Sequence, residues 1–120
     1  MNLLPALPDV WKVGSISGLR ARGGFEIINM QWKDGKLVKA VIKSKLGGNL
    51  RLRVPNEMKM NNDIALREAK GDNINAFYRV EKIAVPIISD KKTISLPQLK
   101  TTRLYDIDTQ AGKIYWIVIK

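Results

Sequence analysis

The chain has no cysteine and no histidine among its 120 residues. Those absences exclude disulfides, thiol redox chemistry, thiolate nucleophiles, Cys/His zinc sites and every histidine-based catalytic triad. They leave the compartment open, because a cysteine-free protein suits the cytosol and the periplasm equally. Long apolar runs are also missing. With no stretch of about 18 apolar residues, no membrane-spanning helix and no membrane partner are expected. Met1-Asn2-Leu3-Leu4-Pro5 lacks the basic stretch and unbroken apolar run of a secretory signal. For a piece of a longer polypeptide this says nothing of the parent.

Acidic residues are scarce: 11 against 21 basic ones, a net charge of +10. Such an excess attracts polyanions at long range, so a basic nucleic-acid module has to be weighed. Charge of this kind speaks to association and solubility rather than to fold, and a solvated surface is the preferred reading.

What is present is the punctuation of an all-β protein: short apolar runs, turn signals about every ten residues, and no sustained 3.6-residue period. Phe25–Trp32 and Leu37–Ser44 flank Lys33-Asp34-Gly35-Lys36 and read as a β-hairpin, because Asp-Gly supplies the positive φ angles of a tight primed turn. Alternation slips at Ile27-Ile28, which calls for a β-bulge. In the second strand Val38, Ala40 and Ile42 are expected to share the covered face. Asn49-Leu50-Arg51-Leu52-Arg53-Val54 alternates strictly, with Leu50, Leu52 and Val54 inward and Arg51 and Arg53 outward. Pro55 should end that strand and leave 56–62 as a polar connection.

Later segments are read as a short strand at Ile64–Ala69, a loop at Lys70–Asn73, one or two strands within Phe77–Ile88 bent at Pro86, and a turn at Ser89–Lys92. A strand at Leu104–Asp108, a turn at 109–112 and a terminal strand at Lys113–Lys120 close the chain. Because Ile114, Trp116 and Val118 alternate with Tyr115, Ile117 and Ile119, the last strand is apolar on both faces and should be interior. Length and composition fit one domain that needs no metal or disulfide to fold. Seven to nine short strands with one apolar face each predict an antiparallel two-sheet β-sandwich, jelly-roll-like.

Little resembles a catalytic constellation. Most of the eleven carboxylates fall in expected turns, and a glycosidase needs one carboxyl of raised pKa facing another across a cleft. Asp106 and Asp108 have the spacing of a strand face or of a calcium loop, but 109–112 brings no further hard oxygen ligands, so turn chemistry is preferred to a metal site. The glycines at 14, 18, 23 and 24 match no phosphate-loop pattern. Arg20-Ala21-Arg22-Gly23-Gly24 is a single arginine-glycine occurrence between apolar strands. Trp11, Trp32 and Trp116 would suit a sugar-stacking platform, yet packing is the commoner fate of a strand tryptophan. Trp32 and Trp116 are assigned to packing, and Trp11 to an interface.

The segment Leu3-Leu4-Pro5-Ala6-Leu7-Pro8 is too apolar for an exposed leader, and its prolines forbid an ordinary helix or central strand. It wants a surface to lie on, as at a boundary with a preceding domain. Residues 1–13 are therefore read as a junction segment and 14–120 as the sandwich.

That segment, followed by Trp11, Gly14, Gly18-Leu19-Arg20-Ala21-Arg22-Gly23-Gly24-Phe25 and Trp32-Lys33-Asp34-Gly35, resembles the C-terminal β-domain of family 95 glycoside hydrolases, the α-L-fucosidase family. Gly47–Arg53 resembles it too; Leu104-Tyr105-Asp106 and Ala111-Gly112-Lys113 do so more loosely. The resemblance implies a bacterial parent, periplasmic or secreted, with a preceding catalytic (α/α)6 barrel that cleaves α-L-fucosidic or related bonds. It implies no catalytic residue and no cofactor in this chain. The implied role is a non-catalytic accessory domain that packs on the barrel, with Leu4, Pro5, Leu7, Pro8, Trp11, Arg20, Arg22, Arg51 and Arg53 as expected interface residues. A carbohydrate-binding module is the alternative, and a nucleic-acid module stands third.

Overall fold

The computed structural model describes residues 1–61, 66–78, 83–87, 89, 95 and 98–120. Among the described residues nine strands form two antiparallel sheets: β1 Val13–Ile16, β2 Leu19–Ala21, β3 Phe25–Lys33, β4 Lys36–Ser44, β5 Gly48–Val54, β6 Met58–Met60, β7 Arg67–Glu68, β8 Arg103–Thr109 and β9 Ile114–Ile119. The larger sheet runs β1-β3-β4-β9-β6, with β2 also on β3, and the smaller runs β5-β8-β7. This is the expected all-β two-sheet architecture.

The hairpin forms as read. Asp34 and Gly35 take φ angles of 49° and 73° at its turn, the left-handed pair that a primed turn requires. The ladder slips between Ile27 and Asn29, which makes Ile28 the extra residue of the expected bulge, and slips again where Gln31 faces Lys39 but Trp32 faces Leu37. The second slip corrects one expectation. Val38 is the extra residue there, so Leu37, not Val38, joins Ala40 and Ile42 in full burial. Both bulges let one strand keep its apolar residues on the core side across a break in phase.

Leu50, Leu52 and Val54 of β5 are fully buried and meet Phe25, Ile27, Met30, Leu37, Ala40 and Ile42 of the large sheet, with Tyr105, Ile107 and Ile117 completing the core. Polar ties close both ends. Ser44 and Thr109 share a buried hydroxyl hydrogen bond of 2.9 Å between the sheets. The Asn56 amide accepts from Leu37 N–H at 2.7 Å and donates to Leu37 O at 3.1 Å, which docks the turn after β5 onto the start of β4.

Three readings require correction. The connection at 56–62 contains a strand, β6, because Met58 reaches the core beside β9 and Met60 packs against it. Within Phe77–Ile88 the described part is a 3-10 turn at Ala76–Tyr78 and an exposed segment, 83–87, without ladder partners. Trp116 is 45% exposed on the outward side of β9; that strand lies between β4 and β6, but only its Ile117 side is sealed by the second sheet. Residues 64–65 of the expected strand at Ile64–Ala69, 79–82 and 88 of the next stretch, and all but Ser89 of the expected turn at Ser89–Lys92 lie outside the described residues; Arg67–Glu68 does form a strand.

Candidate interdomain surface

The apolar beginning of the chain folds onto its own sandwich before it offers a surface. Leu3 N–H donates to Arg53 O at 3.0 Å and Arg53 N–H to Met1 O at 2.8 Å, a short parallel bridge on the free edge of β5. Leu3 thereby enters the core. The chain then turns away through Leu4, at φ 55°. Beyond this anchor, Leu4 and Leu7 are half-buried, Pro5 and Pro8 are exposed, and Trp11 is 59% exposed. Trp11 O accepts the Trp32 indole N–H at 2.9 Å, which ties the segment to the end of the hairpin.

Together these residues wall an open groove of about 1030 Å³, shared with Asp34 and Gly35 of the hairpin turn, Arg53, Pro55 and residues 98–102. Sequence patterning singled out the residues of the apolar wall as an expected interface. It missed Leu3 as the anchor and 98–102 as the facing wall, because those contacts join segments far apart in the chain and leave no periodic trace.

The structure separates the four arginines. Arg53 lines the groove and donates to Thr102 Oγ1 at 2.9 Å. Arg51 turns inward on its own domain: Nε and Nη2 each reach Asp106 at 2.9 Å, and Nη1 reaches Gly71 O at 2.6 Å. Its five donors are largely used, so its charge is balanced within the sandwich. Arg20 and Arg22 are exposed at the other end of the hairpin, Arg20 in register with Glu26. Lys33 lies seven positions beyond Glu26 on β3, roughly 20 Å at the strand rise. Six of the nine expected interface residues therefore converge on one groove: Leu4, Pro5, Leu7, Pro8, Trp11 and Arg53.

A family model described as "Glycoside hydrolase family 95, C-terminal domain" matches residues 1–83. The chain belongs to this family. A stretch of 39 residues is 51% identical to Alpha-L-fucosidase 2 of Arabidopsis thaliana, covering 32% of this chain and 4% of the plant protein's length. The family 95 match thus embraces residues 1–13, the hairpin, β5 and the groove's apolar wall.

Asp106 and Glu26 of this family 95 domain are each tied to a neighbouring cation. Asp106 is held below the usual carboxylate range, first by the Arg51 hydrogen bond and further by that of Asn49, against the opposing effect of burial. Glu26 is likewise lowered, by its hydrogen bond from Lys45. A glycosidase acid needs the opposite displacement. Asp106 and Asp108 lie on strand β8, not in a turn, and each faces an arginine, Arg51 and Arg67. Among the described residues no group of three acidic side chains is placed to hold a metal ion. Asp63, Glu81 and Asp90 lie outside the described residues.

Proposed function

We propose that the chain is a non-catalytic accessory domain of a family 95 exo-glycosidase and that its groove seats the preceding catalytic (α/α)6 domain. The observation that carries this reading is the apolar segment Leu4–Trp11, which keeps Trp11 and Val10 exposed while its own anchor, Leu3, is buried. Ordering two prolines and a tryptophan against water has no gain unless a second surface covers them. Arg53, in the same groove, offers a cation to an acidic group across the contact. Arg20 and Arg22 would meet the barrel only if it wrapped around the far end of the hairpin; Arg51 would act on the contact only indirectly. The parent's activity on α-L-fucosides or related α-L-glycosides belongs to the same proposal, and is motivated by the family and by the name of the plant relative.

The test mixes the chain with a separately expressed family 95 catalytic domain. Co-elution and a raised melting temperature of the catalytic domain are expected, both weakened by Trp11→Ala and Leu7→Ala. Release of fucose from an aryl α-L-fucoside by the chain alone, abolished by changing one of its own carboxylates, overturns the proposal.

A further inference from the structure

Directly opposite residues of antiparallel strands project to the same side. The ladder register therefore sorts the large sheet into a core face and an outward face, and the outward one is unusual in composition. Trp116 stands on it opposite Val41, which in turn faces Asn29. Lys43 opposite Ile114 lies to one side of the indole, and Lys39 opposite Val118 to the other. Lys39 Nζ sits 4.5 Å from the Trp116 ring centroid, so a cation is fixed against one aromatic face. By register Arg20, Lys33, Lys36 and Lys59 share this side. Among the described strand residues its one carboxylate is Glu26, which Lys45 neutralises at 2.9 Å.

The face is thus a shallow platform with an apolar rail along β9, lysines on both flanks, and the amides of Asn29 and Gln31 beside them on β3. Its charge favours an anionic partner, and its shape narrows the kind. Trp116 lies on an interior strand, flanked in register by Lys39 and Lys43, and is not an edge aromatic of the kind that leads an insertion into a bilayer. The cations are mostly lysines spread along strands, without the converging arginine forks that suit phosphate. A chain of sugar acids fits each part: an apolar pyranose C–H face for the part of the indole that Lys39 leaves exposed, separated single charges for the lysines, and hydroxyls for the amides. Lys39 and Lys43 are four residues apart on β4, roughly 13 Å at the strand rise, which calls for several sugar rings rather than one.

We propose that the outward face of the large sheet binds a polysaccharide of uronic acids, with Trp116 as the stacking residue and Lys39 and Lys43 as the carboxylate partners. This site is separate from the groove at the hairpin turn and stands whether or not a catalytic domain covers that groove. Affinity electrophoresis and titration calorimetry of the 120-residue chain with polygalacturonate test it, with neutral dextran, a single-stranded oligonucleotide and phosphatidylserine vesicles as comparisons. Polygalacturonate should bind and dextran should not. Trp116→Ala should weaken binding about tenfold, and Lys39→Gln with Lys43→Gln should do the same and flatten its salt dependence. Circular dichroism checks the fold of each variant, and if the tryptophan variant is unfolded the lysine pair alone decides. Polygalacturonate affinities within about twofold of the parent in the folded variants overturn the proposal. So does stronger binding to the oligonucleotide or vesicles that is lost with the same substitutions.

Discussion

Arg51 and Asp106 stand directly opposite each other on β5 and β8, and the guanidinium closes a two-point fork on the carboxylate with both distances at 2.9 Å. The same arginine donates to the carbonyls of Lys70 and Gly71, so one side chain fastens the small sheet to the loop that leaves it. Both partners are mostly shielded, with 16% and 11% of their side-chain surfaces exposed.

Acid should therefore weaken the domain through Asp106. Its folded-state pKa lies below the ordinary value of 3.8, so its stabilisation is complete above that value and is lost as pH falls through the folded-state pKa. Glu26 acts in the same sense. Denaturant unfolding followed from neutral pH to pH 3 should show stability falling below about pH 4. Asp106→Asn should already be weaker at neutral pH by about 2 kcal/mol, with a shallower acid limb.

Gly14 is opposite Trp32 in the β1–β3 ladder, and a methyl group there would overlap Cζ2 of the indole. Gly14→Ala should cost about 1–3 kcal/mol and displace the ring. Loss of the hydrogen bond from the Trp32 indole to Trp11 O should follow. Melting temperature and near-ultraviolet dichroism measure the two effects separately.

Asn56 gives the backbone of Leu37 both a donor and an acceptor. Asn56→Ala leaves the half-buried N–H and C=O without those partners and should destabilise by about 1–3 kcal/mol. Asn56→Asp keeps the acceptor but turns a carboxylate oxygen toward the Leu37 carbonyl in place of the donor, so it should cost at least as much as the alanine. Hydrogen exchange at the Leu37 amide distinguishes a local opening from a global one.

Leu52 and Trp116 make a contrasting pair. Leu52 is fully buried, and Leu52→Ala should cost about 2–5 kcal/mol through transfer and cavity terms. Trp116→Ala, on the outward face, should cost about 1 kcal/mol or less. Chemical denaturation of both variants checks the assignment of faces.

Much of this architecture was legible locally. Strict alternation at 49–54 placed Leu50, Leu52 and Val54 in the core, since a strand's side chains reverse at each residue. Asp34-Gly35 set the hairpin, and the phase slip at Ile27-Ile28 located a bulge. The apolar wall of the groove was readable because Leu4–Pro8 can be neither helix nor central strand. Its opposite wall was not, because 98–102 carries no pattern that points across the molecule.

The sequence by itself determined the β3–β4 hairpin, the inward and outward faces of β5 and the absence of thiol and imidazole side chains, because each depends on residue type or on spacing along one segment. Only the tertiary structure decided that Val38 would be extruded as a bulge, that Arg51 would be paired with a carboxylate 55 residues away, and that Trp116 would stand on the outward face. The physical reason is common to all three. A two-sided apolar strand or an outward arginine acquires its environment from the strand hydrogen-bonded beside it, and ladder partners are chosen by packing over the whole domain rather than by neighbours in the chain.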